Sequence, residues 1–149
     1  MKSVLEASAY QELQQRLNQL TPESQRRWGK MDVAQMMAHV SNVLEIAVGD
    51  KKPPRSLLGR VLGGFVKKSW LDDSPIAHNS PTDSSIKVTT PKQFGAEKVR
   101  IKTLLERLNK GGATGVTTHP HPFFGPLTPD EWGKLQYKHL NHPLEQFGV

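Results

Sequence analysis

Residues 128–146 read TPDEWGKLQYKHLNHPLEQ, and this stretch decides the fold. Thr128 followed three residues later by Glu131 is a capping box, and Pro129 stands at the first helical position. On a wheel of about 100° per residue, Trp132, Leu135, Gln136, His139, Pro143 and Gln146 fall on one side. Trp132 and Leu135 mark that side as core-facing, which carries Gln136, His139 and Gln146 inward. Buried polar groups cost free energy unless they are hydrogen-bonded or bind something, so the inward polar stripe is a candidate site. Pro143 has no N–H, and its ring opposes the carbonyl four residues back, that of His139. The helix is therefore expected to kink or end near His142, leaving the His139 carbonyl free.

Asp32 and Gln35 form a second capping box ahead of an apolar run. Val33, Met36, Val40, Val43, Leu44 and Ala47 make one helical stripe, with Gly49 as the stop. His39 lies at the edge of that stripe, between Met36 and Val43, and is turned at least partly inward. A first helix is expected from about Ser3 to Leu20, with Leu5, Tyr10, Leu13, Leu17 and Leu20 at helical spacing. Another is expected from Phe94 to Asn109, closed by Gly111-Gly112. Residues 71–93 read as a long irregular connection, with a brief extended piece at Ile86–Val88. Four long helices with long crossing connections and no convincing sheet predict an all-α four-helix bundle, one domain over residues 1–149.

Bulk properties agree. The chain has 149 residues, 36% hydrophobic and 23% charged, a globular balance with length for one core. Cysteine is absent, which excludes disulfides, thiolate catalysis and Cys-based zinc sites, and fits a reducing cytosol. The N-terminal MKSVLEASAYQELQQRL lacks the apolar core of a signal peptide, and no run approaches a membrane span. A soluble cytoplasmic protein is the expectation.

The net charge of +6 is local: Lys51, Lys52, Arg55, Arg60, Lys67 and Lys68 equal the whole excess. Within this segment Leu57, Leu58, Val61, Leu62, Phe65, Val66 and Trp70 form an apolar face, a short extra amphipathic helix. Gly59, Gly63 and Gly64 make it a poor autonomous helix, so packing on the bundle is expected. The same face could support a homodimer or lie on an anionic lipid surface. No DNA- or RNA-binding motif accompanies the basic residues, so nucleic acid is not an expected partner.

Six histidines are present, His39, His78, His119, His121, His139 and His142. A single histidine on a partly apolar face is usually a satisfied core residue. Two on separate helices, both directed inward, are how bundle interiors build metal sites. His142 could be a third ligand, since residues three apart share a helix face, or His121 could swing in from the loop. Gln136 and Gln146 would then orient the ligands by hydrogen bonds.

Three segments, WGKMDVAQMMAH at 28–39, HPFFGPLTPDEW at 121–132 and YKHLNHPLEQFG at 137–148, resemble the DinB/YfiT-like superfamily, closest to an uncharacterised bacterial branch. The likeness covers nearly the whole chain. It implies a four-helix bundle holding one divalent metal such as zinc or nickel, through one histidine of the second helix and two of the last, four residues apart. By position, His39 matches the first ligand and His139 the second, and the third falls on Pro143, which offers no donor. The resemblance further implies a metal-dependent thiol S-transferase or hydrolase, substrate open. The alternative is a metal-free ligand-binding or scaffold bundle with a degenerate two-histidine pocket.

Overall fold

The two capping boxes form and set the two helices that matter most. Asp32 accepts from the Gln35 N–H while the Gln35 side chain accepts from the Asp32 N–H, and Thr128 and Glu131 repeat the arrangement. The computed structural model describes residues 1–78, 80 and 86–149. Among these residues it is all-helical, with five helices and no strand. In chain order they are α1 (Ala7–Gln19), α2 (Val33–Ala47), α3 (Leu57–Trp70), α4 (Phe94–Gly115) and α5 (Pro129–Gln146).

One hydrophobic core is shared by α1, α2, α4 and α5, and α2 packs most extensively on α4. The predicted stripe on α2 is buried throughout, as are Met37, Ala38 and Ile46 beyond it, so this helix runs through the middle of the core. Arg100 on α4 reaches Glu45 on α2 at 2.6 Å and Asn42 at 2.9 Å, tying the edges of that pair. The helix ends follow the glycines. Gly49 takes φ +84° past the end of α2, and Gly112 breaks the helical geometry of α4 at φ 52°, ψ −140°. α4 nevertheless resumes to Gly115, beyond the expected stop at Asn109.

Four expectations need correction. The first helix starts at Ala7 rather than Ser3, because the preceding residues are held elsewhere: Val4 N–H donates to the Gly133 carbonyl of α5 at 3.1 Å. α5 does not end at His142 but continues through Pro143 to Gln146. Pro143 sits in the last turn, where its missing N–H removes a single bond and its fixed φ suits the helix. The N–H groups of Phe147 and Val149 close the end on the Pro143 and Leu144 carbonyls. Residues 86–88 are not a strand, and the connection over 71–93 falls partly outside the described residues.

The fourth correction concerns α3. Its apolar face does not pack on the other helices: Leu57, Leu58, Val61, Leu62 and Phe65 are exposed, Phe65 at 85%. Gly59 and Gly63 are its buried residues, set against the backbone of Phe123. Ser56 caps its start by accepting from the Gly59 N–H. At its C-terminus the Lys138 ammonium of α5 donates to the Ser69 and Asp72 carbonyls, at 2.8 and 3.0 Å. A cation on the last carbonyls is favoured by the helix dipole as well as by hydrogen bonding.

Among the described residues, no helix is long and apolar enough to cross a membrane.

Candidate functional site

α2 and α5 bring His39 and His139 together, with Nε2 to Nε2 at 3.1 Å and ring centroids 5.2 Å apart. His39 is buried, and its Nδ1 lies 2.9 Å from the Ile86 carbonyl oxygen. A carbonyl can only accept, so Nδ1 carries the proton and donates, leaving the His39 Nε2 lone pair directed at His139. His139 keeps a little surface, but its surroundings are dense: the Trp70 ring stacks beside it at 6.3 Å. His121, Phe124 and Trp132 extend the aromatic wall, with His121 4.7 Å from Phe124 and 5.4 Å from Trp132.

This setting favours neutral rings. Burial pushes His39 below the ordinary histidine value, opposed only by its bond to Ile86. Burial also holds His139 well below it, helped by the neighbouring His39, His121 and His142. Neutral imidazoles with unshared electron pairs are the form that binds a metal.

The donor set fits a divalent ion in part. Two histidine nitrogens on one tetrahedral zinc, each about 2.0–2.1 Å from it, stand about 3.3 Å apart. The observed 3.1 Å is close to that separation. The His39 Nδ1–H to backbone carbonyl bond is the support that fixes tautomer and ring orientation in histidine ligands. The same 3.1 Å also suits a direct N–H···N hydrogen bond, with one proton between the rings. Among the described residues, no group of three His, Cys, Asp or Glu side chains could hold a metal.

The remaining candidates divide. His142 does not join the pair but lies against Trp28 at 5.8 Å and His78 at 6.2 Å. Burial and His78 lower its pKa. His121 is near His139 but has its Nδ1 committed, accepting from the Phe123 and Phe124 N–H groups, both at 3.1 Å. Its proton must then sit on Nε2, which makes that atom a donor rather than a ligand. Gln146 is buried, and its amide donates to the Trp28 carbonyl, pinning the segment before α2. Gln136 stays fully buried one turn before His139, and neither its Oε1 nor its Nε2 has a partner among the described residues. The buried indole N–H of Trp132, one turn further back, is also unpartnered. Such groups call for water or a ligand, and they lie on the histidine's own face of α5.

Two features escaped the reading of the residues. The Ile86 carbonyl had no signal, since the bond spans 47 positions between a loop and a helix. Trp28 stacks on His78 with centroids 3.8 Å apart and planes 13° off parallel. Its place in the WGK run was visible, but its partner was not.

No curated protein and no solved structure matches the chain. A family described as "Protein of unknown function (DUF1569)" matches residues 1–148. The chain therefore belongs to the DUF1569 family.

Proposed function

We propose that this chain is a DinB-like four-helix bundle of α1, α2, α4 and α5 whose His39–His139 pair binds one divalent metal, zinc or nickel, as a metal-dependent enzyme of the thiol S-transferase or hydrolase type. One observation carries the reading: two histidines on facing helices meet Nε2 to Nε2 at 3.1 Å, one of them anchored through Nδ1. Such an ion supplies Lewis-acid chemistry, lowering the pKa of water or a thiol. The protein's part is to hold both imidazoles neutral and convergent. Trp70 packs beside His139 and against Phe124, while the Gln136 amide, unpartnered among the described residues, offers a donor and an acceptor for a polar ligand group. Two protein donors leave several coordination positions for exogenous groups.

The test is elemental analysis of protein purified without a nickel column. About one equivalent of zinc or nickel per chain is expected, lost in His39→Ala and His139→Ala. No bound metal, and no thermal shift on adding zinc, nickel or manganese, overturns the proposal.

A second reading has its own support, because Pro143 stands where the resemblance places a third ligand. In that reading the pair is a metal-free polar pocket, closed by the N–H···N hydrogen bond. It predicts that His39→Ala changes stability but no metal-dependent property. Metal retained by the wild type and lost in that variant contradicts it.

A further inference from the structure

α3 is an amphipathic helix docked by its glycines rather than by its apolar face. A Cβ at Gly63 would stand 2.1 Å from the Phe123 carbonyl oxygen, and one at Gly59 would stand 2.6 Å from Phe123 Cα. These contacts permit no side chain, so the helix is held with that face inward. Lys67 fixes a flank by pairing with Glu131 at 2.6 Å, and Lys138 holds the C-terminus. Five large apolar side chains are left uncovered among the described residues, while Trp70 at the end of the helix packs on the bundle. Leu57, Leu58, Val61, Leu62 and Phe65 fall within an arc of about 140° and are 42–85% exposed. Together they expose roughly 600 Å², the upper end of what a soluble monomer leaves open.

The surrounding charge identifies what this face fits. No acidic residue occurs between Lys51 and Trp70. Lys52, Arg60 and Lys68 are exposed, and none of them pairs with a carboxylate among the described residues. We propose that α3 docks on a bilayer surface containing anionic lipid. The helix lies in the interfacial plane, its apolar arc enters the acyl boundary, and Arg60 and Lys68 reach headgroup phosphates. Lys68 lies within the apolar arc, where a long stem can bury and its ammonium can snorkel to the headgroups.

Two other occupants fit less well. A second copy would bring Arg60 and Lys68 of both chains together without neutralising carboxylates. The face is also smaller than the about 800 Å² per partner of a standard interface. A nucleic acid would match the charge and leave the apolar arc in water. Docking on lipid would also hold the histidine pair near the bilayer, because Trp70 at the end of α3 stacks on His139.

The test is co-flotation of the full chain with phosphatidylcholine vesicles, with and without about 30 mol% phosphatidylglycerol. Binding is expected only to the anionic vesicles, and it should collapse in about 1 M salt. Val61→Ser with Phe65→Ser, and separately Arg60→Glu with Lys68→Glu, should each lower partitioning by about tenfold or more while leaving Tm and circular dichroism unchanged. No binding to anionic vesicles at low salt overturns the proposal, as does equal binding by the Val61/Phe65 variant. So does a dimer abolished by that variant without vesicle binding. Duplex DNA binding that survives the variant, again without vesicle binding, counts equally against it.

Discussion

α5 and α3 are both amphipathic, both begin at a side-chain cap, and they touch through Lys138 and Trp70, yet they face opposite ways. α5 buries Trp132, Leu135, Leu140 and Leu144, and carries Gln136 inward with them. α3 buries Gly59 and Gly63 and leaves Leu57, Leu58, Val61, Leu62 and Phe65 outside. An apolar stripe shows that a helix has two unlike faces; it does not say which one the fold covers. What decides is the fit of the neighbouring backbone. Where the 121–125 loop crosses α3, only a glycine surface can approach it.

The widest gap between the two helices is in what truncation costs. Leu140→Ala in α5 should lower stability by about 2–5 kcal/mol, read from urea unfolding. A loss below 1 kcal/mol would mean that α5 is not core-bound. Next comes Gly63→Ala in α3, whose new methyl meets a backbone carbonyl that cannot rotate away. The expected cost is about 1–3 kcal/mol, with faster hydrogen exchange across residues 57–70. An unchanged exchange pattern would show that the glycine face is not the docking face.

The acid response sharpens the comparison at the histidines. His139 and His39 have lowered pKa values in the folded chain, with burial the main cause in each. The unfolded chain therefore takes up protons first as pH drops below the ordinary 6.5. Stability that is complete above 6.5 should decline as pH falls from there towards the lowered folded values. Tm recorded between neutral and mildly acidic pH should fall less steeply in His139→Gln than in the wild type. An identical slope would place the titration elsewhere.

Smaller effects separate the two glutamines of α5. Gln146→Leu loses the hydrogen bond to the Trp28 carbonyl and should cost about 1 kcal/mol. Gln136→Leu removes an amide with no partner among the described residues and should be neutral or stabilising in the unliganded protein. A clear loss on Gln136→Leu would reveal a partner for that amide. The smallest effect is expected for Phe65→Ser, within about 0.5 kcal/mol of wild type, since the ring is 85% exposed.

Much of the fold was legible in the residues. Both capping boxes formed, Gly49 and Gly112 mark changes of backbone, and the core-facing side of α5 is the one that Trp132 and Leu135 indicated. The meeting of His39 and His139 was legible too, because each followed from the apolar pattern of its own helix. What was not legible depends on contacts distant in sequence. The orientation of α3 rests on a loop about 60 residues further along the chain, and the His39 tautomer rests on a carbonyl in another connection. The positions of His142 and His121 illustrate the same limit. Helix spacing and loop proximity admitted both as ligands, but His142 sits in a tilted contact with Trp28 and the 121–125 turn uses the Nδ1 lone pair of His121.

The most direct measurement is ¹⁵N NMR of the histidine ring nitrogens during zinc addition to chelator-treated protein. Both Nε2 signals, of His39 and His139, are expected to shift together and saturate near one equivalent, while Nδ1 of His39 stays protonated against Ile86. Ring signals of both residues that stay unchanged through excess zinc would contradict it.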